Sequence, residues 1–362
     1  MLYYIDESVL LAARNNNQDV VEILKDFVYA WRKGQCLVSA SRSTLSELKK
    51  LCGLEQFSLV ERYAQGIHSL YTSLDFFVVL VANNAKVTVL QQFANKYVVM
   101  DISVFNDPKL ISLNYLVCEN VRDCDFYVFG TKQLLSRVMG NSYQLNVEEG
   151  NGGGGTIIDV LKVYEPYSCL AICDSDKKYP QCGIGKTLSE VLAYFSGLHG
   201  CRMWMYALQV HEVENLIPIK LLEKIRYGKL HKNRMKTISS IASASFGGEF
   251  LKHFDFKKGF REKLLVDINE KDAQFVNVCK QTLLHIGKSQ HVINNAISNG
   301  KDSAKELVSG FGDVIFSDTL DYIQNNHIHP SLLQFDAYQQ SDWNAIANKV
   351  WSLGCAMVPR RL

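Results

Sequence analysis

Three apolar runs in the middle of the chain end in acidic residues, and helical patterns separate these runs. The runs are LNYLVC, SCLAIC and CRMWMYALQV. The acids that follow them come in pairs: Glu119 and Asp123, Asp174 and Asp176, and Glu212 and Glu214. Strands that alternate with helices predict a mostly parallel sheet, whose strand ends meet along one edge. The sequence therefore predicts an α/β fold with these acids gathered at the carboxyl edge of the sheet.

Gathered carboxylates indicate a bound metal ion. Asp174 and Asp176 share one face of an extended backbone because side chains alternate along it, and Glu212 and Glu214 have the same spacing. Their mutual repulsion would cost stability without a cation. Mg²⁺ prefers oxygen ligands, and such ions orient water and neutralise charge in phosphoryl transfer. A solvated strand end explains any single acid, but three pairs in this order favour a phosphoryl-transfer site that uses Mg²⁺ or Mn²⁺.

The chain divides into three predicted parts. Residues 1–110 predict an α/β domain, with helices in DVVEILKDFVYAW and from Thr44, and strands in CLVSAS and DFFVVLVAN. Residues 111–218 hold the acidic runs and form the predicted catalytic core. Residues 219–362 have helical patterns, as in IKLLEKIRYGKL, AQFVNVCKQTLLHI and DWNAIANKVWSLG. A chain of 362 residues is long enough for two or three such units.

The composition does not identify the ligand, but it limits the kinds of site that the chain can contain. With 39 Lys and Arg against 37 Asp and Glu, the formal net charge is +2, so a nucleic acid would need a local basic surface. The 10 Cys include no CxxC pair and the 9 His form no HExxH pattern, so no zinc site is indicated. Because the chain shows neither a signal-peptide pattern nor a spanning apolar run, we expect a soluble, cytoplasmic protein without membrane association.

The order of the acidic motifs resembles a known family. An apolar strand ending in Glu119, a glycine-rich turn at 151–155 and a strand ending in Asp174-Ser-Asp176 resemble the Toprim domain of topoisomerases, bacterial primases and OLD-family nucleases. The resemblance covers residues 111–260, and the phrases HEVEN and FDFKKGF are similar to Toprim-like proteins of bacterial phage-defence systems. One departure is Asn120, which stands where the family usually has glycine.

The resemblance assigns roles to individual residues. It implies a set of catalytic acids: Glu119, Asp123, Asp174 and Asp176. It implies a set of metal ligands: Glu119, Asp174, Asp176, Glu212 and Glu214. Lys257 in FDFKKGF is a further catalytic candidate, because a cation there can face a scissile phosphate, although a basic solvated turn explains it equally well.

Other segments offer weaker phosphate-binding signals. The cations of YGKLHKNRMK (227–236) form a candidate nucleic-acid patch, with an exposed helix face as the alternative. The glycines at 152–155, in the stretch NGGGG (151–155), can cradle a phosphate or form a plain turn. GIGKT (183–187) lacks the first glycine of a P-loop, so we expect it to open the following helix rather than to bind ATP.

The N-terminal segments carry a second resemblance. YYIDESVLLAAR and VSASRSTLSELKKL resemble the opening of PIN-type ribonuclease domains, with Asp6 at the end of the first strand and Glu47 in a helix. A non-catalytic α/β partner domain is the preferred interpretation of residues 1–110.

These observations predict a Mg²⁺- or Mn²⁺-dependent endonuclease that cleaves DNA or RNA. The resemblance implies a toxic effector of an anti-phage defence system that works with a partner protein. Two alternatives stay open: a Toprim-like regulatory or interaction module held silent by a partner, and ribonuclease chemistry in the N-terminal domain. The sequence also leaves open whether the chain forms a homo-oligomer.

Overall fold

The computed structural model has an α/β fold with largely parallel sheets, which confirms the predicted fold class. It describes residues 1–52, 60–61, 67, 70, 73–82, 88–92, 95–151, 156–198 and 202–359. The strands are β1 (Leu2–Ile5), β2 (Leu37–Ala40), β3 (Phe76–Val81), β4 (Thr88–Gln92), β5 (Asn95–Asp101), β6 (Asn114–Cys118), β7 (Tyr143–Leu145), β8 (Glu148–Asn151), β9 (Ser168–Cys173), β10 (Met203–Ala207), β11 (Phe260–Arg261), β12 (Glu306–Val308) and β13 (Cys355–Met357).

The α-helices connect these strands and dominate the C-terminal part. They are α1 (Glu7–Arg14), α2 (Gln18–Arg32), α3 (Arg42–Cys52), α4 (Lys109–Ser112), α5 (Val121–Leu134), α6 (Ser136–Met139), α7 (Ile157–Tyr164), α8 (Lys186–Ser196), α9 (Ile219–Leu222), α10 (Arg226–Leu230), α11 (Lys232–Ser243), α12 (Gly247–Lys252), α13 (Glu262–Lys271), α14 (Phe275–His285), α15 (Gln290–Asn299), α16 (Ile315–Asn325) and α17 (Ala337–Gly354). The helical pattern predicted after residue 218 is confirmed.

The first sheet has the strand order β2-β1-β3-β5-β4. Strands β1, β2, β3 and β5 are parallel, and β4 joins the edge antiparallel to β5. An aromatic cluster packs between this sheet and the helices that cover it. The ring centroids of Tyr3, Phe27 and Phe105 lie 4.9 to 5.5 Å apart with edge-to-face geometry.

The second sheet has the order β10-β9-β6-β8 and carries the predicted acids at its strand ends. Strand β6 runs parallel to both β8 and β9, with Cys118 in register with Ile172. Every residue of β9 is buried, as expected for a parallel strand covered on both faces. Glu119 directly follows β6, and Asp174 directly follows β9.

The chain packs into two compact units. The first unit comprises residues 1–172, 191–206 and 345–362, and the second comprises residues 173–190 and 207–344. The predicted division into 1–110, 111–218 and 219–362 refers to sequence segments and stays a prediction. Within the described residues, no helix combines the length and apolar character needed to cross a bilayer.

The second unit has an aromatic core that includes the phrase FDFKKGF. Phe254, Phe256 and Phe260 are at most 3% exposed, and Phe250 and Phe311 contact them with ring centroids 5.1 to 6.3 Å apart. Because alternate residues of this phrase are anchored in the core, the polar residues between them have defined directions.

Two predicted helices differ from the structure for local reasons. Helix α3 begins at Arg42 rather than Thr44, because the Ser41 hydroxyl accepts the Thr44 N–H at 3.1 Å. The pattern IKLLEKIRYGKL forms α9 and α10 rather than one helix, and Gly228 packs onto the Leu222 carbonyl, where a Cβ atom would lie 1.9 Å away.

Candidate functional site

Glu119 and Asp123 belong to the first unit, at the start of α5. Asn120 caps this helix, since its side chain accepts the Arg122 N–H at 3.0 Å. The Asp123 carboxylate accepts the Asn120 N–H at 3.0 Å and completes a capping box. Asn120 therefore has a helix-capping function. Glu119 is half-buried, and the catalytic roles of Glu119 and Asp123 stay predictions.

In the second unit, the Asp174–Asp176 turn is joined to the HEVEN segment by hydrogen bonds. The Asp176 N–H donates to the His211 carbonyl at 3.0 Å. The buried Ser175 hydroxyl donates to the Val210 carbonyl at 2.6 Å. Two acidic phrases about 35 residues apart in sequence are thus joined by one backbone hydrogen bond and one hydrogen bond from the Ser175 side chain. The sequence pattern contained no signal for the role of Ser175.

The backbone of Asp176 is in the left-handed region, with φ at 54°. Asp adopts this region more readily than most residues. Gly185, in the GIGKT phrase, lies directly against the Asp176 side chain, where a Cβ atom would approach the Asp176 Oδ2 atom to 1.9 Å. The Gly185 N–H also donates to the Ser175 carbonyl at 3.0 Å. The phrase opens α8 as predicted, and it also sets the position of the Asp176 carboxylate.

This contact makes Gly185 sensitive to a single added methyl group. We expect Gly185→Ala to displace the Asp176 side chain and to lower the free energy of unfolding by about 1–3 kcal/mol, the usual cost of overpacking. Gly183→Ala is the matched control, because a Cβ atom there would have nothing within 4 Å. Urea denaturation of both variants checks this prediction, and equal stabilities would contradict it.

Asn215 holds the HEVEN segment in place. Its side-chain amide donates to the carbonyls of Leu251 at 2.7 Å and Phe254 at 2.8 Å. Its side-chain oxygen accepts the Glu212 N–H at 3.0 Å, and the residue is fully buried. A buried amide with all these partners rigidifies the loop. The final residue of the phrase therefore has a structural role that places Glu212 beside the 251–256 segment.

His211, Glu212 and Asp255 form a group that could hold a metal ion. One nitrogen or oxygen atom from each lies within 4.8 Å of the others. In the described part of the chain this is the one such group of three or more His, Cys, Asp or Glu residues. His211 is 2% exposed, and its Nδ1 atom has no hydrogen-bond partner among the described residues. A buried polar atom of this kind costs stability unless a ligand satisfies it.

The protonation state of His211 suits metal binding. Burial lowers the pKa of His211, and this effect outweighs the carboxylates of Glu212, Asp255 and Asp176, which raise it. The imidazole is therefore neutral near pH 7, which is the form that donates a nitrogen lone pair to a metal.

Lys257 bridges the two glutamates of HEVEN. Its Nζ atom lies 2.8 Å from Glu212 Oε2 and 3.3 Å from Glu214 Oε1. Burial would lower the pKa of Lys257, but Glu214 and Glu212 raise it above its ordinary value, so the ammonium stays charged. Burial raises the pKa of Glu214, against the opposing effect of Lys257. The catalytic role predicted for Lys257 stays a prediction, and the ion pairs give this residue a positioning role.

A tight turn in FDFKKGF directs consecutive residues to different places. Asp255 Oδ1 accepts the N–H groups of Lys257 at 2.9 Å and Lys258 at 2.7 Å. The turn presents the Lys257 ammonium to the glutamates, while Lys258 lines a neighbouring cavity.

His211 and Asp255 were not predicted as site residues, although both stand in the phrases HEVEN and FDFKKGF. The available signal was a His directly before Glu212 and an Asp between two buried Phe residues.

The remaining candidate residues from the sequence lie outside the group of His211, Glu212 and Asp255. Asp174 and Asp176 are half-buried and lie outside the group of three, so their metal-binding roles stay predictions. Asp6 caps α1 by accepting the Ser8 N–H at 2.9 Å, and Glu47 pairs with Lys50 at 2.9 Å on the surface. The predicted phosphate cradle at 152–155 lies outside the described residues.

Comparison with known proteins finds no relative: no family model, no curated protein and no solved structure matches the chain.

Proposed function

We propose that the chain is a divalent-cation-dependent nuclease with a Toprim-like core, which cleaves phosphodiester bonds in DNA or RNA. The observation that carries this proposal is the group His211, Glu212 and Asp255, beside the turn that contains Asp176. Two carboxylates, a neutral imidazole and an adjacent acidic turn are the side chains that a phosphoryl-transfer enzyme uses to hold a cation. The proposed role as an effector of phage defence rests on the sequence resemblance alone.

The donor set fits one of the two predicted cations better than the other. Mg²⁺ favours an octahedral shell of oxygen ligands, whereas an imidazole suits transition metals. One nitrogen with two carboxylates therefore fits Mn²⁺ better than Mg²⁺. When bound, the cation supplies a Lewis acid that neutralises charge on the transferred phosphoryl group.

The residues of the chain have distinct proposed roles around this cation. His211, Glu212 and Asp255 hold it. Lys257 orients Glu212, because the ammonium contacts Glu212 Oε2, while Oε1 lies 3.7 Å from His211 Nε2. One oxygen of the Glu212 carboxylate thus contacts the Lys257 ammonium, and the other lies beside His211 in the metal group. Asp174 and Asp176 are proposed to bind the cation or its water from the adjacent turn.

A cleavage assay tests the proposal. The purified full chain is incubated with plasmid, single-stranded DNA or bulk transfer RNA, in the presence of Mn²⁺, Mg²⁺ or a chelator. We expect cleavage with Mn²⁺ and none with the chelator, and the substrate that is cut identifies the nucleic acid. Loss of cleavage in Asp174→Ala would support the predicted role of that residue. No cleavage of any substrate with either metal would count against the nuclease.

The imidazole ligand makes a prediction about metal preference. We expect Mn²⁺ to bind at least about tenfold more tightly than Mg²⁺, and His211→Asn or His211→Gln to reduce this preference toward parity. These neutral variants place an oxygen near the Nδ1 and Nε2 positions respectively, so the better Mg²⁺ binder also indicates the liganding nitrogen. Isothermal titration with each metal gives the result. An unchanged preference in both variants would remove His211 from the ligand set.

The ion pairs of Lys257 favour a second candidate function. An ammonium 2.8 Å from Glu212 and 3.3 Å from Glu214 compensates buried carboxylates without a metal. A Toprim-like module that acts only through a partner could be stabilised in this way. Metal titration of the full chain separates the candidates, because the non-catalytic module binds neither cation at this site.

A further inference from the structure

The second unit contains a cavity of about 440 Å³ beside the metal group. This volume is typical of a small-molecule site. Its charged lining is mainly basic: Lys178, Lys258, Arg261, Lys263 and Lys301, against Asp255, Asp267 and Glu270. Asp255 belongs to the lining of the cavity and to the metal group, so the two features are adjacent.

The cations of this cavity are available for a ligand. None of the five has a carboxylate within 4.0 Å among the described residues. Two of the three acids have partners of their own, and the first, Asp267, pairs with Lys271 at 2.6 Å and accepts the Tyr179 hydroxyl at 2.9 Å. Asp255 is held by the two backbone N–H groups of its turn. With five cations against three acids, two of which have other partners, the lining carries an excess of positive charge.

The remaining lining indicates what the cations recognise. The described lining contains no Phe, Tyr or Trp ring on which a base could stack. His253 contributes no free Nδ1–H to the cavity, because that group donates to the Lys177 carbonyl at 2.9 Å. Uncompensated Lys and Arg without stacking rings bind phosphates rather than bases.

The cavity wall has a defined shape. Gly259 has φ at 77°, and its backbone packs so closely against the 308–310 strand end that a Cβ atom would lie 2.4 Å from the Val308 carbonyl. The Gly312 N–H donates to the Lys257 carbonyl at 2.9 Å. The turn that carries Lys258 is thus fixed by the strand end behind it, and Arg261 follows on β11. A preformed wall lowers the entropic cost of binding.

We propose that this cavity binds a backbone phosphate of a single-stranded nucleic acid, next to the phosphate held at the metal group. The identification of the ligand as nucleic acid rests on the proposed nuclease function. A cavity of 440 Å³ admits about one nucleotide, whereas a duplex is too wide to enter it. Recognition through phosphate alone makes the site indifferent to base sequence.

The test is equilibrium binding in a chelator, where cleavage is absent. Fluorescence anisotropy measures the affinity of the full chain for labelled single-stranded dodecamers of two sequences and for the matching duplex, at salt concentrations from about 50 to about 200 mM. The variant is Lys258→Gln/Arg261→Gln, which removes two uncompensated cations. The matched control is Lys224→Gln/Lys288→Gln, which removes two cations of the same unit that do not line the cavity. Lys263→Gln/Lys301→Gln is a second cavity variant in case the first misfolds, as judged by circular dichroism.

The expected results separate the proposals. The cavity variants should weaken single-strand binding about tenfold and reduce the slope of log affinity against log salt by about 1, while the control changes neither. Both sequences should bind alike, and the duplex at least about tenfold more weakly. Equal loss in the control, or equal binding of the duplex, would overturn the cavity proposal, and so would a nucleoside monophosphate that binds as tightly as the strand. A chain that shows the expected binding but never cleaves would refute the nuclease alone.

Discussion

The double variant Glu212→Gln/Asp255→Asn is expected to lose metal binding and metal-dependent cleavage while it folds normally. Each amide side chain keeps one oxygen that can accept hydrogen bonds, as Asp255 Oδ1 now accepts the N–H groups of Lys257 and Lys258. Loss of an outer partner of a metal ligand costs about 10–100-fold, so removal of two ligand charges should cost at least about 100-fold in the cleavage rate. Glu212→Gln also loses the ion pair with Lys257, but Lys257 keeps Glu214 as a partner, and less repulsion between nearby carboxylates offsets part of this loss.

The control for this variant is Asp313→Asn, because Asp313 is an exposed acid of the same unit. Titration calorimetry with Mn²⁺ reports binding independently of cleavage. If the double variant binds Mn²⁺ as the wild type does, the cation lies elsewhere. Asp174→Ala then becomes the decisive variant for the predicted site at Glu119, Asp174 and Asp176.

Removal of the Lys257 ammonium is expected to destabilise the second unit strongly in the absence of metal. Glu212 and Glu214 side chains are 11% and 5% exposed, so they cannot regain full hydration when Lys257→Met removes their partner. Breaking a fully buried ion pair costs about 3–5 kcal/mol, and we expect about 2–4 kcal/mol because Lys257 is partly exposed. Urea denaturation in a chelator measures the loss.

Two further measurements identify the cause of this destabilisation. Lys257→Met/Glu214→Gln should recover much of the stability, with a coupling energy of about 1–3 kcal/mol, because the second change removes the unpaired charge. Mn²⁺ should stabilise Lys257→Met more than the wild type, since a cation at the metal group also compensates Glu212. The control is Lys271→Met, which breaks an exposed pair with Asp267 and should cost less than about 1 kcal/mol. A loss in Lys257→Met no larger than this control would contradict the prediction.

Local patterns predicted the elements that position the candidate site. SCLAIC forms a fully buried strand, and the two glycines of GIGKT precede a helix, because continuous apolar runs and turn residues act over a few neighbours. Asp174 directly follows β9 as predicted, whereas β10 ends at Ala207, so three residues separate this strand from HEVEN. The spacing from Glu119 to Asp123, interpreted as catalytic, coincides with the Asn120–Asp123 capping box, which is itself a local signal.

Long-range contacts were not predictable in the same way. Asp342 accepts the N–H groups of Gln209 and Val210 at 2.9 and 3.1 Å, and Gln339 donates to the Asn215 carbonyl at 2.8 Å. These partners are more than 120 residues apart in sequence. No periodic pattern encodes such pairs, because they depend on how residues 337–344 of helix α17 pack within the second unit.

The sequence by itself determined that this chain is an α/β protein with acids at its strand ends, because strand and helix periodicity and side-chain alternation are properties of neighbouring residues. Tertiary structure alone decided that His211 and Asp255 join Glu212, and that Lys257 faces the glutamates while Lys258 faces the cavity. Those choices depend on the buried Phe residues of FDFKKGF and on the hydrogen bonds of Asn215, which fix the directions of side chains that the sequence leaves free.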